Sequence, residues 1–186
     1  MSKLLRYAAV GAAVASFGIA SGAQAATTDS ADVKAKILST LTVSVDATQN
    51  ALDFGSIADG GIASSQTIAV APDGTRGACP ALLTCSGTTA APLFHVTGAN
   101  SKAVNITFVN ASETLSYQGT PPTGFTNNTL SAGTFVTDAV NGVTNNQLLL
   151  SAGGTGDFHV GGTLTVPVDA APGTYQGTLT VSVAYN

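Results

Sequence analysis

The stretch Thr174-Tyr175-Gln176-Gly177-Thr178-Leu179-Thr180-Val181-Ser182-Val183-Ala184-Tyr185-Asn186 decides the fold. From Tyr175 onward the odd positions carry Tyr, Gly, Leu, Val, Val and Tyr, whereas the even positions are mostly Gln, Thr and Ser. Side chains on a β-strand point alternately to its two faces, so the pattern predicts a strand with one apolar face. From Tyr175 to Tyr185 the predicted strand is about 37 Å long, roughly twice the usual length. Such a strand needs a partner along each edge.

The rest of the chain repeats this alternation in shorter runs. Val, Ile, Thr and Phe recur with period two, and no long helical periodicity is present. The pattern predicts a short strand at residues 52–55 and a hairpin that joins residues 93–97 to residues 103–109. Turn residues recur about every eight to twelve positions, which predicts an all-β, immunoglobulin-like β-sandwich of roughly nine or ten strands.

The first residues indicate export. Lys3 and Arg6 begin the chain, residues 7–19 form an uncharged apolar run, and Ala23-Gln24-Ala25 has the small side chains of a cleavage site. We therefore expect residues 1–25 to be a signal peptide. The apolar run is too short to span a membrane comfortably, so we expect no membrane insertion after cleavage.

Charge excludes one class of partner. After removal of the signal peptide, four basic residues face ten acidic ones, a net charge of −6. The basic residues are Lys34, Lys36, Arg76 and Lys102. They form no basic patch, so we expect no nucleic-acid partner.

Cys79 and Cys85 are the only two cysteines of the chain. In an exported protein such a pair predicts a disulfide. Their spacing does not match the Cys-x-x-Cys pattern of redox sites, and no further ligand for zinc lies nearby. Closing so short a loop stabilises a fold by about 2 kcal/mol on the chain-entropy estimate.

Groups for catalysis are scarce. The only histidines, His95 and His159, both lie in a Phe-His-Val triplet and face away from the apolar neighbours on either side. The acidic residues are dispersed, and most lie in or beside predicted turns, where Asp caps local main chain. We expect no enzyme, no catalytic residue, no metal site and no cofactor.

The closing stretch resembles the subunits of chaperone-usher pili, which end with alternating apolar residues, a penultimate aromatic residue and a glycine fourteen residues from the end. The residues that match this pattern are Gly173, Tyr175, Leu179, Val181, Val183 and Tyr185. Leu52-Asp53-Phe54-Gly55 also resembles a segment of archaic-type, spore-coat-like pilins. The chain departs from the best-known pilins because no Cys lies near Val43 or Val45.

This resemblance implies a structural subunit of a bacterial surface fibre, a pilus or fimbria involved in cell adhesion. The subunit would pass through the periplasm to the cell surface or extracellular space with the help of a periplasmic chaperone and an outer-membrane usher. Its β-sandwich would lack one strand, which a neighbouring identical or related subunit would donate to build a homopolymer.

The candidate donor is an amino-terminal extension, residues 26–40, ahead of a sandwich domain at residues 41–186. Its alternating small and apolar side chains are Ala31, Val33, Ala35 and Ile37. An alternative stays open, in which residues 33–45 are one long first strand of a self-complete sandwich.

A second resemblance covers the whole mature chain. Together with Leu52-Asp53-Phe54-Gly55, the runs Phe94-His95-Val96-Thr97-Gly98 and Gly161-Gly162-Thr163-Leu164-Thr165-Val166 resemble a family of small exported bacterial β-proteins with a domain of unknown function. That family implies a fold and an export route, and it implies no activity. A self-complete secreted sandwich that coats the surface or binds a glycan or protein is the alternative function. Its ligand would be expected at residues 119–129, with Tyr117 and Phe125.

Overall fold

The computed structural model describes residues 31–32 and 34–186. It divides into two units, residues 1–36 and residues 37–186. The predicted signal peptide, residues 26–30 and Val33 lie outside the described residues. In the first unit, Lys34 Nζ and Asp32 Oδ2 form an exposed ion pair of 3.2 Å.

The second unit is built of antiparallel strands, and no helix occurs in the described part of the chain, so none there is long and apolar enough to cross a membrane. The all-β fold class predicted from alternation is therefore confirmed. The strands are β1 (Thr42–Val45), β2 (Ser56–Asp59), β3 (Gln66–Val70), β4 (Leu83–Ser86), β5 (Leu93–Thr97), β6 (Ala103–Phe108), β7 (Ser112–Tyr117), β8 (Thr129–Thr137), β9 (Val140–Asn141), β10 (Thr144–Asn145), β11 (Gln147–Leu149), β12 (Thr155–Val166), β13 (Tyr175–Gln176) and β14 (Val181–Tyr185).

Two sheets and two ribbons make up the unit. The larger sheet has seven strands in the order β1-β5-β12-β8-β7-β13, with β3 pairing the second half of β12. The smaller sheet has three strands in the order β11-β6-β14. The ribbons are β2–β4 and β9–β10. The arrangement is sandwich-like.

Strand β12 is the longest, with twelve residues, and it joins two core clusters. We call these the first and second core clusters. The first contains Phe54, Ile62, Ile68, Val70, Leu83, Ala132, Leu164 and Val166. The second contains Phe94, Val96, Val104, Ile106, Ala139, Leu150, Phe158 and Val160.

A glycine lies where β12 passes from one cluster to the other. The register of β12 against β8 shifts between Gly161 and Thr163. A Cβ on Gly161 would lie 2.5 Å from the carbonyl oxygen of Val70, so only glycine allows this close main-chain approach.

The closing stretch is not the single long strand that its alternation predicts. Tyr175–Gln176 pairs with β7 in the larger sheet, and Val181–Tyr185 pairs with β6 in the smaller one. Residues 177–180 cross between the sheets, and each strand has a partner along one edge only. The odd-numbered apolar side chains stay half-buried throughout, because both sheets bury the same face of the chain.

Two other local predictions were wrong. Strands β5 and β6 do not form a hairpin, because β5 pairs β1 and β12 whereas β6 pairs β11 and β14. Residues 98–102 instead carry the chain from one sheet to the other. The predicted strand at residues 52–55 is reduced to one isolated bridge between Asp53 and Ala90, and β2 begins only at Ser56.

Candidate functional site

A groove of about 660 Å³ lies between the two core clusters. It takes Phe54 and Ala132 from the first cluster and Phe94 from the second. Its apolar lining includes Val45, Leu52, Phe54, Phe94, Leu115, Ala132, Phe135 and Leu179. Its polar lining includes Asn50, Asp53, Glu113, Thr174, Gln176 and Thr178.

The apolar lining is incompletely covered. Val45, at the end of strand β1, is 45% exposed. Leu52, Leu115, Phe135 and Leu179 are only half-buried, although each packs against a core cluster. Apolar side chains arranged around an open groove mark a place where a further apolar group can bind.

Along one wall of the groove, main-chain N–H and C=O groups are unpaired. Gly177, Thr178 and Leu179 all line it, and they form no main-chain hydrogen bond within the described residues. Pairing resumes at Thr180, whose carbonyl oxygen accepts a bond of 3.1 Å from Val109 N–H. A short run of unpaired main chain at the margin of a sheet is a template for an added strand.

Two edge strands border the gap between the two sheets. Strand β1 pairs only β5, and β14 pairs only β6. They approach each other at one end, where the Tyr185 hydroxyl donates a hydrogen bond of 2.8 Å to the carbonyl oxygen of Ser39. At the other end Val45 and Leu179 both line the groove. The gap between the two sheets is therefore closed at Tyr185 and open at Leu179.

A pair of tyrosines packs at the start of the closing stretch. The rings of Tyr117 and Tyr175 meet edge to face at 5.4 Å. The Tyr175 hydroxyl donates to Ala171 O at 2.6 Å, and burial raises the pKa of Tyr175. Gly173 lies against Tyr117, and a Cβ at this position would overlap the ring.

The structure separates the predicted closing-strand residues into three places. Tyr175 and Leu179 line the groove. Val181, Val183 and Tyr185 pack against the second core cluster, and Gly173 lies under Tyr117.

The predicted donor residues are described only in part. Ala31, Ala35 and Ile37 belong to no strand, and Val33 lies outside the described residues. Ile37 is 95% exposed and does not line the groove of its own chain. The donor assignment stays a prediction.

On the outer face of the larger sheet, His95 lies between two carboxylates. Its Nδ1 is 2.7 Å from Asp157 Oδ1, and its Nε2 is 3.2 Å from Asp46 Oδ2. These contacts, first that to Asp157 and then that to Asp46, raise the pKa of His95. The Thr48 hydroxyl, two main-chain N–H groups and His95 hold the pKa of Asp46 well below its usual range.

His159 has one carboxylate partner. Its Nδ1 is 2.8 Å from Asp138 Oδ2, and its N–H donates to Asp138 Oδ1 at 2.7 Å. It borders a second, smaller cleft of about 440 Å³ that Gln49, Asp73 and Thr89 also line. In the range that the structure describes, no group of three His, Cys, Asp or Glu residues could hold a metal ion.

The alternative ligand site predicted at residues 119–129 coincides with neither the groove nor the smaller cleft. Phe125 is 45% exposed, and Tyr117 packs against Tyr175. Neither the groove nor the smaller cleft is lined by any of residues 119–129.

The disulfide between Cys79 and Cys85 is confirmed. Their Cα atoms are 5.9 Å apart, and the bridge closes the loop ahead of strand β4. Cys85 lies in β4 and packs against the first core cluster, so the bridge ties the exposed Cys79 end of this loop to the ribbon β2–β4.

Most acidic residues were expected in or beside turns, whereas Asp157 lies within strand β12 directly opposite His95. The period-two spacing of Asp157 and His159 was the only sign in the sequence that both belong to one strand face. The groove itself had no sign in the sequence, because its lining comes from residues 45–54, 92–94, 113–115, 132–135 and 174–179.

Comparison with known proteins identifies a family. A family model described as a domain of unknown function, DUF4402, matches residues 41–185. No curated protein and no solved structure matches the chain. The resemblance to chaperone-usher pilins thus stays a prediction. Because the match spans most of its length, the chain belongs to the DUF4402 family.

Proposed function

We propose that the protein is a structural subunit of a bacterial surface fibre that assembles by donor-strand exchange. The observation that carries this proposal is the groove along residues 174–179, where unpaired main chain at Gly177, Thr178 and Leu179 borders an apolar lining. A strand added there gains main-chain hydrogen bonds from the wall and pockets for alternate side chains from the lining.

The occupant that we propose is the extension, residues 26–40, of a second copy. From Ala31 to Ile37 it spans about 23 Å when extended, which is a usual strand length. Ile37 is almost fully exposed and unpaired, so it is available to a neighbour. Because donor and acceptor are different surfaces of one chain, the contact is head-to-tail, and it produces an open fibre when the rotation between neighbouring subunits does not close a ring.

Charge supports the same occupant. The acids Asp53 and Glu113 line the groove and take part in no ion pair among the described residues. The extension carries Lys34 and Lys36, two of the four basic residues of the predicted mature chain. Opposite charges at the rim of an interface favour encounter and register more than they add affinity.

The route to the surface is part of the proposal. Residues 1–25 direct export, a periplasmic chaperone occupies the groove until assembly, and an outer-membrane usher exchanges the chaperone for the next subunit. A chaperone is needed because an open apolar groove and unpaired main chain promote aggregation.

The first experiment is gel electrophoresis of the mature protein from its native cell surface in detergent, with and without boiling. Strand-exchanged polymers give a ladder that survives in the cold and collapses on heating. Leu179→Lys places a charge in the groove and should abolish the ladder. Val143→Lys is the matched control, because Val143 is 99% exposed and does not line the groove. A single monomer band from the wild type in both lanes would contradict the proposal.

A second candidate function is a self-complete secreted sandwich that coats the surface or binds a ligand. It is favoured by the second core cluster, where Val96, Val104, Phe158 and Val160 are at most 1% exposed without any donor. A mature protein that stays monomeric at the cell surface and unfolds reversibly by itself would support this candidate over the first.

A further inference from the structure

His95 joins three neighbouring strands of the larger sheet. It lies on β5 in register with Ser44 of β1 on one side and Asp157 of β12 on the other. Asp46 follows directly after β1 and reaches back to the imidazole. The imidazole is therefore the bridge between the end of an edge strand and the centre of the sheet.

The two carboxylate contacts define the protonation state of the His95 imidazole. Both ring nitrogens face carboxylate oxygens, at 2.7 and 3.2 Å, and an ionised carboxylate only accepts hydrogen bonds. Both contacts therefore require N–H donors, and only the protonated imidazole has two. A neutral His95 donates to one carboxylate and turns a lone pair toward the other, which is repulsive.

The contact with Asp46 is the one that deprotonation weakens. It is the longer of the two contacts, so the single remaining proton stays on the nitrogen that faces Asp157. Oδ1 of Asp46 caps its own turn, accepting from Thr48 N and Oγ1 and from Gln49 N. Release of Oδ2 thus frees that turn as a unit from His95.

The freed turn adjoins the groove. Val45, which lines the groove, precedes Asp46, and the end of β1 is then held by its pairing with β5 and by the bond of 2.8 Å from Asp46 N to Leu93 O. Losing the side-chain link at an edge strand lowers the free energy of local opening there.

Few other charges act on His95. Among the described residues, the only ionisable side chains that contact it are Asp46, which follows β1, and Asp157 of β12. Two positions beyond Asp157, His159 is paired with Asp138. No lysine or arginine forms an ion pair with any of these groups within the described residues.

We propose that His95, Asp46 and Asp157 form a proton-dependent clamp on strand β1, which holds the Val45 wall of the groove in place at acidic pH and releases it at alkaline pH. This inference rests on the proposed function where it concerns strand uptake. Uptake of a donor strand is then faster at alkaline than at acidic pH, by about two- to fivefold, the range expected for one exposed ion pair.

NMR tests the clamp without reference to any fibre. In the full mature protein with 15N-labelled histidine, His95 should carry protons on both ring nitrogens at pH 6 and lose one as the pH rises. Amide exchange at Val43 and Val45, taken relative to amides in the middle of β12, should increase over the same pH range. A neutral His95 at pH 6, or a β1 exchange ratio that does not change with pH, overturns the clamp.

Peptide uptake tests the link to assembly. The probe is a fluorescent peptide with the sequence of residues 26–40, and wild-type uptake should rise with pH. His95→Gln should remove the pH step, and the matched control His159→Gln should keep it. A step that persists in His95→Gln overturns the link. Peptide that is never taken up at any pH contradicts the proposed function instead, and the NMR experiment then decides the clamp alone.

Discussion

The Tyr185 hydroxyl donates a hydrogen bond of 2.8 Å to the carbonyl oxygen of Ser39, which lies 146 positions earlier in the chain. The same hydroxyl accepts a bond of 2.5 Å from the main-chain N–H of Ala99. One side chain at the end of β14 thus connects the residues ahead of β1 to the turn after β5. This connection closes the gap between the two sheets at one end and leaves the groove open at the other.

Tyr185→Phe should lower the free energy of unfolding by about 1–2 kcal/mol, because the N–H of the buried Ala99 loses its acceptor. Urea unfolding of the mature protein measures this. Tyr117→Phe is the matched control, since it removes a single exposed hydrogen bond of 3.1 Å to Pro172 O and should cost less than about 0.5 kcal/mol. Equal losses in the two variants would show that the Tyr185 hydroxyl has no special role.

Gly173→Ala should destabilise the start of the closing stretch. The added Cβ would lie 2.5 Å from the Tyr117 hydroxyl oxygen and overlap the ring, so Tyr117 must move away from Tyr175. Overpacking of this kind costs about 1–3 kcal/mol.

Thermal unfolding of Gly173→Ala should be compared with that of Gly153→Ala. A Cβ on Gly153 would meet only the Ser151 Oγ, at 3.6 Å, which is ordinary contact. An unchanged melting temperature for Gly173→Ala would mean that Tyr117 and Tyr175 do not fix this segment.

Alternation in the sequence predicted which side chains of the closing stretch face inward, and Tyr175, Leu179 and Val183 are all half-buried as expected. It did not predict that the stretch changes sheets at Gly177. Facing is a local property of an extended chain, whereas partner choice depends on β6 and β7, whose main-chain groups are the same in any sequence.

The sequence likewise predicted the direction of the His95 side chain but not its contacts. An outward-facing His95 follows from its apolar neighbours Phe94 and Val96, which are buried. Its contacts with Asp46 and Asp157 follow from the register of β1, β5 and β12, and one sequence does not contain that register. The groove could not be predicted either, because it is a space between strands and loops that are far apart in the sequence.

Removing the disulfide should cost about 2 kcal/mol on the chain-entropy estimate for so short a loop. The double variant Cys79→Ser/Cys85→Ser should therefore unfold at a lower urea concentration, and wild type treated with a reducing agent should unfold at the same concentration as the variant. The reducing agent should leave the variant itself unchanged. A wild type that the reducing agent does not destabilise would mean that closing the loop between Cys79 and Cys85 adds nothing to the stability of the fold.

The contact between Asp46 and His95 should make the stability of the protein fall both at low pH and at high pH. Its pKa is lowered from an ordinary value of 3.8, so its contribution is present above that pH and is lost as the pH falls. The pKa of His95 is raised from 6.5, so its contribution is complete below that pH and is lost as the pH rises through the raised value. The stability that the pair provides is therefore greatest between about pH 4 and pH 6.5.

Asp46→Asn tests this directly, because the amide keeps the shape of the turn but removes the titrating carboxylate. The difference in urea midpoint between wild type and variant, measured from pH 3 to pH 9, should be largest inside that window and should shrink on both sides. Asp32→Asn, which removes an exposed carboxylate whose ion pair among the described residues is with Lys34, should give a small difference that shows no such maximum. A difference for Asp46→Asn that stays constant across the pH range would mean that the carboxylate acts only as a neutral cap of its turn and that His95 does not depend on it.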